Sequence, residues 1–245
     1  MTDQISVVFL ILTFVAEVLG TIGGFGSSVF FVPIANIYFD FHSVLGLTAI
    51  FHVASNLSKI TLFRQGVNKS LIFYIGLPSV IFVIIGGLLS KCIQPILLEV
   101  FLGFFLIALS LLFLIKKDLV IAPGKKESVI GGTLSGLAAG LLGTGGAIRG
   151  LTMAAFNLEK SAFIATSAVI DFAIDSTRTV VYYFNGYIHS HDMIYVPFLI
   201  VIGWIGTYSG KLILNHIPQE RFKRLALTLI LIIGIMTILK FWIEP

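Results

Sequence analysis

Charged side chains are scarce in this sequence. Asp, Glu, Lys and Arg make up 11% of the 245 residues, hydrophobic residues make up 57%, and the mean hydropathy is +1.03. Soluble proteins carry about 25% charged residues, and a chain of this size would still expose a large surface to water. The composition therefore excludes an ordinary soluble domain and predicts a protein whose outer surface faces lipid.

Other absences narrow the function classes. Cys92 is the one cysteine, so the chain forms no internal disulfide. The sequence has no Walker-type phosphate loop, so ATP-driven transport would need another subunit. The N-terminal apolar stretch lacks a basic region and a small-residue cleavage motif, and we therefore expect no cleaved signal peptide. The net charge of +4 is small; we assign it to loops at a cytoplasmic leaflet and expect no nucleic-acid partner.

Eight apolar runs divide the chain. A bilayer core about 30 Å thick needs about 20 apolar residues in each crossing helix. The longest polar break, residues 118–128, separates the fourth run from the fifth. We therefore predict an all-α polytopic membrane protein with a first repeat at 1–117 and a second at 129–245. The predicted runs cover 5–38, 43–63, 71–90, 96–115, 129–156, 162–184, 193–214 and 222–243.

A shift of about 120 residues aligns the two halves. Gly86 then falls on Gly206, and Lys91 falls on Lys211. Repeated halves are the usual architecture of secondary transporters, with the substrate site at the interface between them. The glycine clusters that open the two halves also match, with Gly20, Gly23 and Gly26 on Gly140, Gly143 and Gly146.

The run 5–38 is too long for one crossing, because a continuous helix would extend about 50 Å at 1.5 Å per residue. Of the 16 Lys and Arg residues, 13 lie in loops when the three inside apolar runs are set aside. If both glycine-broken runs are re-entrant hairpins, eleven of these lie on one side and only Lys91 and Lys240 on the other, a clear positive-inside pattern. Each half then has one hairpin and three spans, and the repeats are inverted. A parallel eight-span arrangement stays open, since a broken helix can also cross while tilted.

Two polar stripes lie inside apolar runs. An ionisable residue at the centre of a membrane costs about 2.5–3.5 kcal/mol on insertion scales, so each is a functional candidate. Asp175 and Arg178 are also spaced to pair with each other, which would make them a packing contact between helices. The first stripe consists of Thr48, His52, Ser55, Asn56 and Lys59, and the second of Ser167, Asp171, Asp175 and Arg178, each set on one helical face.

The glycine clusters predict an anion site. A half-helix that begins at mid-membrane directs free N–H groups and the positive end of its dipole at a ligand, and glycine lets an anion approach. Arg149 lies just after the second cluster. An anionic ligand best accounts for the free-energy cost of a cation at this position within the membrane. Either turn alone is equally well explained as a tight packing turn.

Four acidic or titratable residues are candidates for charge balance or proton coupling. Glu17 either binds a proton or pairs with Lys59, and His52 serves either proton coupling or packing. Asp171 and Asp175 would balance the anion or carry protons. By contrast, we expect His189 and His191 in a solvated loop.

These features resemble the TauE/SafE family, the sulfite exporter or TSUP transporters. The resemblance covers essentially the whole chain and depends on the broken segments 20–33 and 135–150. Residues 135–146, which read Ser-Gly-Leu-Ala-Ala-Gly-Leu-Leu-Gly-Thr-Gly-Gly, are the more specific motif. The resemblance implies transport of small sulfur-containing anions across the inner membrane. The first cluster reads Gly-Gly-Phe-Gly-Ser-Ser where a plain triple glycine is typical. This departure puts in doubt whether the pocket shape and the substrate are those of the rest of the family.

The sequence therefore predicts a multi-pass secondary transporter of the cytoplasmic membrane for a sulfite-like anion or an organosulfonate. An uncoupled anion channel is the alternative, and an intramembrane enzyme is disfavoured because the stripes show no metal-ligand cluster and no oriented Ser–His pair. We expect no cofactor and no metal; a homodimer is left open. The predicted substrate site comprises Gly23, Gly24, Phe25, Gly26, Ser27, Ser28, Asn56, Lys59, Gly143, Thr144, Gly145, Gly146, Arg149 and Arg178, and the predicted coupling residues are Glu17, His52, Asp171 and Asp175.

Overall fold

A computed structural model describes residues 6–24, 26–64, 66–116, 122–214, 227–228 and 230–239. These residues form helices joined by short turns and contain no strand, as the apolar runs predict. The helices are α1 (Val7–Gly23), α2 (Ser28–Ala35), α3 (Phe41–Leu62), α4 (Lys69–Ser90), α5 (Pro95–Ile115), α6 (Lys125–Leu142), α7 (Gly146–Ala154), α8 (Lys160–Asn185), α9 (Ser190–Leu214) and α10 (Ile230–Leu239).

Three of these helices, α4, α5 and α9, are long and apolar enough to cross a membrane. The helices α3 and α8 are as long, at 22 and 26 residues, but their polar stripes lower their hydropathy. Both are largely buried among their neighbours, so the polar faces are shielded by protein. The predicted run 222–243 lies partly outside the described residues.

The chain reverses direction between α1 and α2. The helix α1 ends at Gly24, whose φ of 74° is left-handed and whose N–H donates to Gly20 O. The Phe9 ring near the start of α1 lies 5.9 Å from that of Phe31 in α2 and 5.1 Å from that of Phe39 beyond it. The two helices therefore lie side by side, joined by a turn at the first glycine cluster.

The second glycine cluster makes a matching turn between α6 and α7. Gly143 ends α6 with a φ of 74°, and its N–H donates to Ala139 O. Ser135 Oγ in α6 donates to Gly145 O at 2.8 Å. One turn further from the break, Gly131 packs so closely on Thr152 of α7 that a Cβ would overlap its side chain. A hydroxyl and a glycine thus hold the second reversal closed.

The helix that opens each half packs against a glycine-bearing helix of the other half. In α9, a Cβ on Gly206 would lie 2.8 Å from the Glu17 side chain of α1. In α4, a Cβ on Gly86 would lie 2.6 Å from Leu137 O and 3.1 Å from Gly140 Cα, both in α6. Between these two packed pairs, α3 and α8 contact each other and bring the two polar stripes face to face.

Candidate functional site

Glu17 is the centre of a buried polar cluster near the first turn. Its side chain is fully buried, and its Oε1 accepts hydrogen bonds from Thr21 at 3.2 Å, Ser55 at 2.6 Å and Thr207 at 2.9 Å. Lys59 Nζ lies 2.7 Å from the same oxygen. Of the two alternatives for Glu17, the structure therefore contains the ion pair with Lys59, surrounded by hydroxyl donors.

Arg149 pairs with a carboxylate of the second stripe. Its guanidinium is 1% exposed and makes a two-point contact with Asp171, NH1 to Oδ1 and NH2 to Oδ2. Its Nε donates to Ser167 Oγ at 3.2 Å. Because Arg149 lies in the first turn of α7, this fork is held at the positive end of that helix, directly beyond the glycine turn.

Arg178 makes a third ion pair but has a different set of partners. Its Nε lies 2.8 Å from Asp175 Oδ1, and its NH1 donates to Gly143 O at 2.7 Å. The opposite oxygen of Asp175 accepts from Asn56 Nδ2 at 2.6 Å, across the α3–α8 contact. The predicted pairing of Asp175 with Arg178 is therefore present, and the guanidinium also binds a carbonyl that α6 leaves unpaired at its end.

The two glycine turns meet at the centre of the molecule. Ser28 Oγ at the start of α2 lies 3.2 Å from Thr144 Oγ1 in the second turn. A small cavity of about 20 Å³ lies where they meet, enough for about one water molecule. It is lined by Gly26, Ser28, His52, Asn56, Ala139, Gly143, Gly145, Gly146, Arg149, Asp171, Ile174, Asp175 and Arg178.

Two further cavities adjoin the first turn. One of about 10 Å³ is lined by Gly24, Asn56, Lys59 and Asp171, among others. A larger one of about 370 Å³ is mostly apolar, and Lys160 is the charged residue among its described lining residues. Gly24 and Ile164 line both, so only these residues and their neighbours separate the large cavity from the polar centre.

His52 and Ser27 form a contact that sequence reasoning did not anticipate. Ser27 Oγ lies 2.9 Å from His52 Nε2 and donates to Glu17 Oε2 at 2.5 Å. His52 Nδ1 faces the backbone carbonyl of Thr48 at 2.7 Å. In a hydrolase triad the imidazole lies between hydroxyl and carboxylate, whereas here the hydroxyl lies between the other two. The arrangement is a buried hydrogen-bond chain and lacks the order of a nucleophilic triad.

Comparisons with known proteins identify the family of this chain. The sequence model of the sulfite exporter TauE/SafE family matches residues 9–237, nearly the whole chain and both glycine turns. The chain belongs to the TauE/SafE family. It is also similar to a probable membrane transporter protein of Methanocaldococcus jannaschii, with 25% identity over 251 residues, covering 93% of this chain and 92% of that protein. No solved structure matches it. As a TauE/SafE protein, the chain is a multi-pass membrane transporter, as the sequence predicts.

Most of the predicted site residues of this TauE/SafE protein converge in the structure, while Phe25 lies outside the described residues. Gly23 lines the large cavity and, like Ser27 and Thr144, is not among the residues that line the two small ones. Sequence reasoning did not place Thr207 in the site. Thr207 follows Gly206, a glycine that the repeat alignment had marked, and Tyr182 donates to Gly140 O at 2.8 Å. It also missed the pairing of Arg149 with Asp171, whereas it had offered the other two ion pairs as alternatives.

Proposed function

We propose that this protein is a secondary transporter that moves a small anion, a sulfur oxyanion or an organosulfonate, across the cytoplasmic membrane by alternating access. Its membership of the sulfite exporter family supports the substrate class. The observation that carries the proposal is Arg149, a fully buried arginine at a helix N-terminus between two glycine turns. Helix N-termini and guanidinium groups are the two elements that proteins most often use to bind oxyanions.

The polar centre is electrically balanced without substrate. Three cations, Lys59, Arg149 and Arg178, are paired with three carboxylates among the described residues. An added anion would leave an uncompensated negative charge in a low-dielectric interior, which costs several kcal/mol. Entry of one proton with each monovalent anion removes this charge. The balance therefore favours a transporter in which anion and proton bind together.

Arg149 is the cation best placed to exchange its partner for the anion. Asp171 is 15% exposed in its side chain and binds the guanidinium fork in the way a ligand oxyanion would. Protonation of Asp171 weakens this pair and frees the fork for substrate. Arg178 is less suited, because its NH1 is committed to Gly143 O and its Asp175 partner is held by Asn56. We assign Arg149 to substrate binding and Arg178 to holding the second turn.

The chain from His52 to Glu17 supplies a second place for the proton. A carbonyl only accepts, so His52 Nδ1 must carry a hydrogen to bond Thr48 O. The two contacts of Ser27, to His52 Nε2 and to Glu17 Oε2, then need two hydrogens, and the hydroxyl supplies one. Both of these hydrogen bonds can therefore form at once only when the hydrogen-bond chain takes up one more proton, on the imidazole or on the carboxyl group. This is the site that we assign to proton coupling.

The cavities support alternating access over an open channel. A cavity of about 20 Å³ holds about one water and cannot hold an anion of four or more heavy atoms, so the central site is closed in this conformation. The cavity of about 370 Å³ is lined by Gly24, at the first turn, and by the cation Lys160. It is therefore suited to be the route by which an anion approaches the site. Movement at Gly24, Phe163 and Ile164 would join the two spaces.

We further propose that the two glycine-broken segments are re-entrant hairpins in an inverted repeat, with both termini outside. The reversal at each turn and the reciprocal packing of Gly206 on Glu17 and of Gly86 on Leu137 support this arrangement, since those two contacts are related by the 120-residue shift. Accessibility labelling of single cysteines placed after Asp40 and at Pro245 tests it. Labelling of both from outside is expected, and labelling of the two positions from opposite sides of the membrane, as eight crossings require, would overturn the inverted arrangement.

The substitution Arg149→Gln tests the proposed function. Uptake of labelled sulfite or methanesulfonate into proteoliposomes should fall at least 100-fold, because the charged fork is lost while the length of the side chain is roughly kept. The matched control Arg64→Gln changes an exposed arginine at the end of α3 and should transport normally. Normal uptake by Arg149→Gln would refute the assignment. Currents without uphill accumulation in the wild-type protein would favour a channel instead.

A further inference from the structure

A second cluster of polar residues lies away from the glycine turns, where the chain enters α9. His189, His191 and Asp192 bring three metal-ligating side chains together, with one donor atom from each within 4.8 Å of the others. His189 Nδ1 lies 3.5 Å from Asp192 Oδ2, and His191 Nε2 lies 3.2 Å from Asp192 Oδ1. The sequence predicted a solvated loop here, but His191 and Asp192 lie in the first turn of α9 and converge with His189 on one point.

Asp192 is the unusual member of this cluster. Its side chain is 2% exposed, and neither carboxylate oxygen has a hydrogen-bond partner. A buried carboxylate without hydrogen bonds is costly, and buried polar groups in proteins are normally satisfied. The imidazoles of His189 and His191 remain 37% and 66% exposed, so the cluster is open to solutes from one side. A cation that enters from that side would satisfy the carboxylate.

Two protonated histidines are a poor source of this positive charge. The His189 and His191 rings stack nearly parallel, at 8° and with centroids 5.3 Å apart, so two imidazolium charges would repel each other. Neutral imidazoles that share one divalent ion with Asp192 avoid this repulsion. We propose that His189, His191 and Asp192 form a binding site for a divalent transition-metal ion of the zinc class.

The geometry fits such an ion. Tetrahedral zinc binds imidazole nitrogen and carboxylate oxygen at about 2.0–2.2 Å, which places pairs of ligand atoms about 3.3–3.5 Å apart. The two nitrogen–oxygen separations in the cluster, 3.2 and 3.5 Å, are close to this spacing. Two imidazoles and one carboxylate select zinc and similar ions over magnesium, which prefers oxygen ligands. Three protein ligands leave the fourth position to water.

The site would link α9 to the start of α3. Ser43, in the first turn of α3, has its Oγ 2.8 Å from His189 Nδ1. Metal binding at Nδ1 exchanges this hydrogen bond for a metal bond, or the ring turns and binds through Nε2 while Nδ1 keeps Ser43. The second arrangement matches the usual support of a metal-bound histidine by a hydrogen bond on its other nitrogen. The helix α3 carries the first polar stripe, so the ion would brace a helix of the central site from outside it.

Zinc binding to the purified protein, without a polyhistidine tag and after treatment with chelator, tests the site. Isothermal titration at pH 7.5 should give one saturable zinc site, a matching rise in the unfolding temperature, and no response to magnesium. His191→Gln alters an exposed side chain, so the fold should persist while zinc affinity falls at least tenfold. Ser190→Ala, in the same first turn of α9, should bind zinc normally. Cobalt should give the intense visible bands of a tetrahedral ion.

Three results would overturn the proposal. Equal zinc binding by wild type, His191→Gln and Asp192→Asn would place the ion elsewhere. Absence of saturable binding in the wild-type protein would exclude the site. Stabilisation by a fall in pH to 5.5, without any zinc response, would show that protonated histidines neutralise Asp192 instead. None of these readouts depends on transport, so failure of the metal site leaves the proposed anion transport untouched.

Discussion

The pair of Lys59 and Glu17 should be the most costly single contact to break in this protein. The substitution Lys59→Met keeps the length of the buried stem and removes the charge, which leaves the Glu17 carboxylate with hydroxyl donors alone. Loss of one partner of a buried ion pair costs about 3–5 kcal/mol. Since at least four hydroxyls remain around Glu17, we expect the lower end, about 3 kcal/mol. For a protein of 150–250 residues this corresponds to a fall of about 6–12 °C in the unfolding temperature.

A double-mutant cycle separates the pair from its surroundings. The double variant Glu17→Gln with Lys59→Met removes both charges, so its destabilisation should be smaller than the sum of the single effects by about 2 kcal/mol or more. Unfolding in detergent can be followed by the fluorescence of Trp204, which is 39% exposed on α9. Lys91→Met, the same change at an exposed lysine, should shift stability by less than about 0.5 kcal/mol. Additive single effects would refute the pairing.

Further substitutions address the turns and the helix ends. Gly20→Ala should lower the free energy of unfolding by about 3 kcal/mol or more, because the added Cβ would overlap the backbone of Ser27. Gly76→Ala should be tolerated, because its Cβ would make only ordinary contacts of 3.5 Å and above. Similar unfolding temperatures for the two variants would contradict this packing. Phe163→Ala removes the ring next to Gly24 and should speed anion uptake severalfold if this position closes the approach route; slower or unchanged uptake would argue against it. Burial opposes ionisation of Asp40, but hydrogen bonds from Ser43 and the His42 N–H outweigh it and lower the pKa of Asp40. The capping contribution of Asp40, about 1 kcal/mol, should therefore be present at pH 7 and be lost below about pH 4 as the carboxylate is protonated, and Asp40→Ala should remove that pH dependence. A wild-type and Asp40→Ala difference that persists at low pH would contradict this.

The helices were predictable from the sequence because apolar runs in lipid leave few alternatives. The glycine breaks were predictable for a related reason: two left-handed residues, Gly24 and Gly143, end their helices where a side chain would be strained. Helix starts were less accurate. The helix α4 begins at Lys69, two residues before the apolar run, because the Asn68 side chain caps it by accepting from Leu71 N. Hydropathy does not detect such a polar cap.

The candidate site was predictable as a set of residues but not as a set of contacts. Helical spacing placed Asp171, Asp175 and Arg178 on one face, and the structure brings that face to Asn56 of the other stripe. Spacing within one helix carries no information about partners on another. The pairing of Arg149 with Asp171, and the placement of Thr207 beside Glu17, depend on how α7, α8, α9 and α1 pack. Because of these contacts, each of the three cations predicted to bind substrate is already neutralised by a carboxylate.

The central claim is that one proton accompanies each monovalent anion through the balanced site. Proteoliposomes that contain a pH-sensitive dye, with the membrane potential clamped at zero, measure this directly when a gradient of methanesulfonate is applied. We expect the lumen to acidify as the anion enters, with a proton-to-anion ratio near one, no net current, and loss of both fluxes in Arg149→Gln. Anion entry that leaves the luminal pH unchanged and carries a current would contradict the account.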